Sequence, residues 1–355
     1  MKLPSINIIF KEAGITAIER GERGVVALIL KDTIGAGVTN PVTIYSSKDI
    51  PNSLSDINKE QINLALMGYQ KSPKKVIAYI NTTADYKEAQ KYFETVKWDY
   101  IAVPDILDAD VTAFASWIKD LRNNRDIKVK AVLPNCAADH EGIINFATQN
   151  IKTQNKTYSA KEYCSRIAGL LAGTPLTISA TYAPLLEVLD CDHLTKEDSD
   201  AAVDSGKFIL INDGTKIKVG RAVNSLVTTA NDKGEDFKKI KIIDIMDQIH
   251  DDIKKVVDDN YIGKVSNSYD NKCLLTTSIG GYFEELEMEG LLDRDKNKVT
   301  IDLEGQKAYL KSIAVNVDSM KEIEIKQANT KDKVFLAANI KILDAIEDMS
   351  FNVSI

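Results

Sequence analysis

The sequence predicts a multi-domain chain of mixed α/β and α+β class. A parallel-sheet α/β middle domain is followed by an α+β C-terminal domain, with extended N- and C-terminal arms. Three observations carry this. Strand and helix patterns alternate regularly from 74 to 133. Long amphipathic helices and a strand-rich tail replace that alternation after Thr229. Short runs with apolar residues at every second position lie at either end: Ile6, Ile8 and Phe10 at one, Phe351, Val353 and Ile355 at the other. The expected divisions are an arm at 1–18, a strand-containing segment at 19–72, the α/β domain at 73–206, the α+β domain at 207–343 and an arm at 344–355.

With 355 residues, 44% hydrophobic and 27% charged, the chain can bury a sizeable core, and its length suits two or three domains. A net charge of −7 argues against nucleic acid as a partner. No apolar run approaches the ~18 residues of a membrane span. The start of the sequence lacks the apolar region and small-residue cleavage site of a secretory signal. Cytoplasmic synthesis and use are therefore expected. Cys136, Cys164, Cys191 and Cys273 are scattered and unpaired in spacing, as for reduced thiols rather than disulfides or zinc ligands.

In order, the continuous apolar run 24–30 reads as a buried strand, 41–45 as another, 55–70 as a helix and 76–80 as a strand. Tyr86, Ala89, Phe93 and Val96 give a helix over 84–96. A strand at 100–103 stops at Pro104. Val111, Phe114, Ile118 and Leu121 mark a helix over 110–123, and a strand at 129–133 stops at Pro134. Such alternation implies crossover connections and a parallel sheet covered by helices. A helix is expected at 139–149, then one opened by Ser159 and Glu162 as a capping box, then one at 195–205. In 206–229, Asp213-Gly214 between apolar runs signals a hairpin, because Gly takes φ > 0 without a Cβ clash. This stretch reads as the seam between two halves. Beyond it, 236–259 is a long helix, and 268–292 is a helix interrupted near Gly280-Gly281. The stretches 299–303, 312–317, 322–326 and 334–342 read as strands, with a turn at Thr330-Lys331-Asp332.

No chemistry-bearing constellation emerges. Gly35-Ala36-Gly37 lacks the third glycine and the following helix of a dinucleotide cradle. Gly169 and Gly173 fit close helix packing. His140, His193 and His250 lack a second histidine at helical spacing, and surface or capping roles account for them. No catalytic residue, cofactor or metal is expected, so the chain reads as a non-enzyme. The two alternating ends instead suit strand addition, in which a donated strand supplies main-chain hydrogen bonds.

Several stretches resemble the tail sheath proteins of contractile phages and of phage-tail-like bacteriocins of Gram-positive bacteria. They are LPSINIIFKEAGITAIERGERGVVALILKD at 3–32, RIAGLLAGTPLTISATYAPL at 166–185, ILINDGTKIKVGRAVNSLVTT at 209–229, and 244–292 with DDNYIGKVSNSYDNK. The resemblance covers most of the chain in the right order; 45–160 is the least distinctive part. It implies a structural subunit that stacks as hexameric rings around a tail tube and contracts to drive that tube through a target envelope. Terminal arms would add strands to a sheet in the next subunit's C-terminal domain. Partners would be further copies of the chain, the tail tube protein, and baseplate and terminator proteins. The location would be a phage or phage-tail-like particle assembled in the host cytoplasm. On this basis 5–10 and 350–355 are the arms, pliable near Gly14 and 344–348, and 216–228 and 312–342 contribute the receiving sheet. Lys238, Lys239, Lys241, Lys254 and Lys255 are candidate tube-facing cations, although a solvated helix face accounts for them equally well. The competing readings are an α/β enzyme or ligand-binding protein with a cleft near Pro104-Asp105 or Pro134-Asn135, and another self-assembling shell protein.

Overall fold

Val25–Lys31 (β1) lies in the middle of a sheet because it has no polar face to offer: every side chain from Val25 to Leu30 is buried. Val26, Leu28 and Leu30 join one apolar layer, and Val25, Ala27 and Ile29 the other. A strand covered on both faces is written as a continuous apolar run. The structure is a computed structural model that describes residues 17–35 and 38–354. The expected arm residues Ile6, Ile8, Phe10 and Ile355, and the pliable point near Gly14, lie outside the described residues.

The chain divides into two units, Gly21–Asp251 with Leu343–Ile355, and Met1–Arg20 with Asp252–Ile342. In the first, β1 is followed by Val42–Ile44 (β2), Asp56–Leu66 (α1), Lys75–Asn81 (β3), Lys87–Phe93 (α2), Tyr100–Ala102 (β4), Asp108–Asn124 (α3), Lys130–Pro134 (β5) and Ile143–Phe146 (β6). Ile151–Lys152 (β7) and Thr157–Tyr158 (β8) form a small ribbon before Ala160–Ala172 (α4), Lys196–Asp204 (α5) and Lys207–Phe208 (β9). The strand order is β2-β3-β1-β4-β5-β6-β9, parallel except for β2 against β3. Side chains of α1 and α4 fill one layer, and those of α2 and α3 the other. This is the doubly wound arrangement that alternating strands and helices predict.

The boundaries expected at 72/73 and 206/207 both fall inside this unit, because β1, β3 and β9 share one sheet. The helix expected at 139–149 is instead β6. Ile143 packs into one layer while Ile144 and Phe146 pack into the other, as a two-face strand requires. The Asp-Gly hairpin forms as Leu210–Asn212 (β10) and Ile217–Val219 (β11), inside the unit Gly21–Asp251. Its Leu210, Ile217 and Val219 are part of the core under α4. The segment before it extends the pairing, with Leu185 N–H donating to Ile217 O at 2.9 Å and Val219 N–H to Ala183 O at 2.9 Å. At the turn Gly214 has φ 86°, and Asp213 accepts from the Thr215 hydroxyl at 2.7 Å and from the N–H groups of Thr215 and Lys216. The Thr215 hydroxyl bond, the Lys218 ammonium and those N–H groups hold the Asp213 carboxyl well below its usual range.

The division between the units falls within Ile240–Asn260 (α6), between Asp251 and Asp252. In the second unit Tyr269–Met288 (α7) runs uninterrupted through Gly280-Gly281, and no close packing requires these glycines: a Cβ at Gly281 meets nothing within 4 Å and at Gly280 only Val299 at 4.0 Å. Lys298–Ile301 (β12) pairs antiparallel with Leu336–Asn339 (β13). Between them, the strand expected at 312–317 is instead a turn and loop following helix Leu303–Ser312 (α8), and that expected at 322–326 is helix Glu322–Gln327 (α9). Asp302 caps α8 by accepting from Glu304 N–H at 3.1 Å and Gly305 N–H at 3.0 Å. Ala314 at φ 63° breaks the extended path, and Val317 and Ile325 fold back onto Leu310. Apolar alternation over five or six residues does not separate a strand from a short helix. The turn at 330–332 forms, with Lys333 N–H donating to Thr330 O at 3.0 Å.

The α1–α4 crossing depends on Gly169: a Cβ there would lie 2.0 Å from Ala65 O and 2.7 Å from Ala65 C. Gly169→Ala should therefore destabilise the chain by about 1–3 kcal/mol through overpacking. On an uncrowded helix the same change would add ~1 kcal/mol of stability. Urea unfolding reads the sign, and a gain would refute the close-crossing account.

Candidate assembly surfaces

The first half of α6 is seated on charge. Arg23 precedes β1, Tyr100 opens β4 and Lys130 opens β5, so all three lie at the amino ends of neighbouring parallel strands. Asp244 accepts from Arg23 and from the Tyr100 hydroxyl at 2.6 Å, and it pairs with Lys130 at 3.1 Å. Asp247, one turn on, takes both terminal nitrogens of Arg122 at 2.9 Å and Lys130 Nζ at 2.5 Å. These residues are buried, apart from the partly exposed Arg23. Burial opposes the charged form of Asp247, and the Lys130 and Arg122 cations more than offset it, holding its carboxyl below the usual range.

The same helix start meets the end of the chain. The returning segment from Leu343 to Asp348 lies on the first unit. Lys241 Nζ donates to Leu343 O at 2.9 Å, and Lys239 pairs with Asp344. Glu347 accepts from the hydroxyls of Ser179 at 2.8 Å and Thr181 at 2.6 Å, with Arg221 Nε at 3.5 Å. Arg221 Nη2 reaches Asp348 at 2.6 Å. The root expected to be pliable at 344–348 is thus pinned by side chains. Beyond it Met349, Phe351 and Val353 are 84%, 80% and 68% exposed. Sequence reasoning missed this dock because its partners stand 102 to 168 residues apart. The available signal was an acidic root, Asp344, Glu347 and Asp348, ahead of an apolar tail.

The five lysines differ in burial and in partners. Lys241 is buried, and desolvation pulls its ammonium below the usual range. Lys238 pairs with Glu235 at 2.9 Å, and Lys239 serves the dock. Lys254 and Lys255 are exposed on the last turns of α6. In the second unit β12 and β13 form a two-stranded sheet with no third strand among the described residues, and Ala337, Ala338 and Asn339 are exposed. The receiving sheet expected within 216–228 and 312–342 divides accordingly. β11 is covered by 182–185, while β13 has no second neighbouring strand among the described residues.

A cleft of about 500 Å³ does open at Pro134 and Asn135, lined also by Asp108, Thr112, Ser116 and Lys119. Its Cys136 thiol is pushed up by burial, so it is a poor nucleophile. Among the described residues no His, Cys, Asp and Glu group could hold a metal. His193 pairs with Asp190 at 3.0 Å, and His250 bridges Asp126 at 2.8 Å and Asp251 at 3.0 Å.

Residues 81–225 match the family model for the phage tail sheath protein central domain, and 232–355 that for the phage tail sheath C-terminal domain. The tail sheath protein of Clostridium phage phiCD119 is 39% identical over 357 residues, covering 99% of each chain. The chain belongs to the phage tail sheath family. Its fold matches the sheath tail protein of Desulfitobacterium hafniense with TM-score 0.72 at 18% identity, over 96% of this chain and 100% of that one. It matches the contracted helical sheath of the anti-feeding prophage with TM-score 0.74 at 13% identity, over 100% and 99% of the two chains. The protein is therefore a structural sheath subunit of a phage tail or phage-tail-like particle.

In this sheath subunit one histidine is set to report acid unfolding. His140 is buried; its Nδ1 accepts from Gly142 N–H at 3.0 Å, and its Nε2 lies 3.4 Å from Asn123 Oδ1. Burial, with the Arg122, Lys233 and Lys119 cations, outweighs Glu141 and lowers its pKa to about 4 from 6.5. Between those values the unfolded chain binds a proton that the folded chain refuses. This contribution therefore falls as pH drops from 6.5 to about 4 and is constant below. Over that window wild type should lose more urea stability than His140→Gln; equal losses would exclude the assignment.

Proposed function

We propose that the chain polymerises as stacked hexameric rings around a tail tube and contracts to drive the tube through a target envelope, its subunits linked by terminal arms. The observation that supports this most directly is a pair of complementary features. One is an exposed tail with Met349, Phe351 and Val353 alternating with Ser350, Asn352 and Ser354; the other is the open β12–β13 sheet. A two-stranded sheet is marginal by itself and gains from a third strand. Main-chain bonds would set the pairing, and each apolar side chain buried would add ~1.5–3 kcal/mol. Donor and acceptor lie on one chain, so the contact is heterologous and repeats as an open helix. The N-terminal arm, with Ile6, Ile8 and Phe10, takes the corresponding role at the other end. No catalytic step belongs to this role. Its other partners are the tail tube, baseplate and terminator proteins, with assembly in the host cytoplasm.

Electron microscopy of the full chain co-expressed with its tube protein should show long tubes. A chain lacking 349–355 should give only short or discrete particles. Full-length tubes from the truncated chain would remove the C-terminal arm from the linkage.

We assign the tube-facing role to Lys254 and Lys255, which are exposed on α6. Lys254→Glu with Lys255→Glu should weaken tube-dependent assembly and reduce its salt sensitivity. Unchanged yield across a salt series would overturn the assignment.

A further inference from the structure

We infer that Ser179, Thr181, Arg221, Lys239 and Lys241 form a dedicated dock for the acidic root of the chain's own C-terminal arm, anchoring it to the unit Gly21–Asp251 and fixing where the apolar tail leaves. The occupant is seated in the structure, and its chemistry is matched at every step. Lys239 meets Asp344, and Lys241 caps the carbonyl of Leu343, the residue at which the chain rejoins this unit. Glu347 is the centre of the site: its side chain is 9% exposed, while the adjacent Ile346 is 93% exposed. A carboxylate turned inward beside an isoleucine turned outward is the reverse of what apolar burial alone would give. It holds because two hydroxyls and a guanidinium replace the water that Glu347 gives up.

The hydroxyl pair is itself held in place. Ala222 N–H donates to Thr181 Oγ1 at 3.0 Å, Thr181 N–H donates to Ser179 Oγ at 3.1 Å, and the two hydroxyls lie 3.0 Å apart. Both are thereby oriented to donate to one carboxylate oxygen, Glu347 Oε1. Arg221 spans the site, with Nε toward Glu347 and Nη2 on Asp348. The dock selects an acidic group at 344 and at 347, and it leaves 349–354 exposed.

On the strand-addition reading this has a mechanical consequence. A pull on the tail is taken up by the dock, and so by the doubly wound unit, before it can reach Ile342 and the pairing of β13. The root is a side-chain anchor, and only the tail is a main-chain linker.

The test is limited proteolysis of the full chain, followed by mass spectrometry. A glutamyl endopeptidase cuts after Glu347 only when that residue leaves the dock, and chymotrypsin cuts after the exposed Phe351 in every case. Arg221→Gln, Thr181→Val and Lys239→Gln leave the cleaved segment's own sequence intact. Each should speed cleavage after Glu347, about tenfold for Arg221→Gln, equivalent to ~1.4 kcal/mol. Added salt should speed it in wild type and less so in Arg221→Gln. Cleavage after Phe351 should be the same throughout. Equal rates after Glu347 in wild type and in the variants that fold, judged by circular dichroism, would overturn the dock. The 349–355 truncation retains every dock residue. Its tube assembly bears on the strand-addition reading alone, while cleavage after Glu347 is read in the full chain and bears on the dock alone.

Discussion

The carboxylates of Asp244 and Asp247 hold the first unit together where its sheet begins. Parallel strands present their amino ends side by side, and here those ends carry Arg23, Tyr100 and Lys130, joined by Arg122 from α3. A second carboxylate works at the same place: Asp99 accepts from the N–H groups of Gly24 and Val25, each at 2.7 Å, and so ties the start of β1 to the start of β4. An apolar contact could hold α6 near these strands, but it would not choose which turn of the helix meets which strand. Two carboxylates one turn apart, each matched to particular cations, set that register. The arrangement is unforgiving, because removing one partner of a buried pair leaves a charge uncompensated at a cost of ~3–5 kcal/mol.

The register matters because α6 carries what comes before and after it. Its first turn presents Lys241, next to Lys239, to the returning chain end. Its last turns supply Asp252, which accepts from the Tyr282 hydroxyl at 2.7 Å and lies 3.8 Å from Arg20 within the second unit. One helix therefore contributes to the sheet seat, to the arm dock and to the second unit. A slip of one turn would misplace the seat and the dock together.

How much of this the residues disclose depends on sequence distance. The doubly wound core was legible because each strand and helix announces itself within about ten residues: the continuous run of β1, the stripe Val111, Phe114, Ile118 and Leu121 of α3, and the proline after β4. The close packing of Gly169 was legible too, from a glycine inside a helix. Short apolar stretches misled in both directions. Ile143 and Ile144 read as helix and form β6, while Ile323 and Ile325 read as strand and form α9. In each, tertiary packing chose between two local patterns of similar quality. The ionic seat was not legible, and the arm dock showed only as an acidic root ahead of an apolar tail. A lysine near Asp236 and Asp244 looks like any solvated cation until the fold brings Asp344 or Leu343 to it, and Lys241, a candidate surface cation by sequence, is buried.

A subunit that stays linked to its neighbours while a lattice rearranges faces two demands that one kind of bond meets poorly. The linker must pair with whichever copy lies next to it, in a geometry that changes. Main-chain hydrogen bonds suit this, since any strand with the right alternation satisfies them. The root must not migrate, or the linker's reach becomes undefined. Side-chain bonds between unlike groups suit that, since their partners are fixed by identity. In the C-terminal segment the two chemistries follow one another within a few residues. Asp344, Glu347 and Asp348 are bound by charge and hydroxyls, and Met349, Phe351 and Val353 are left exposed. On the strand-addition reading, the change from acidic to apolar residues marks where the chain stops belonging to its own subunit and becomes available to the next.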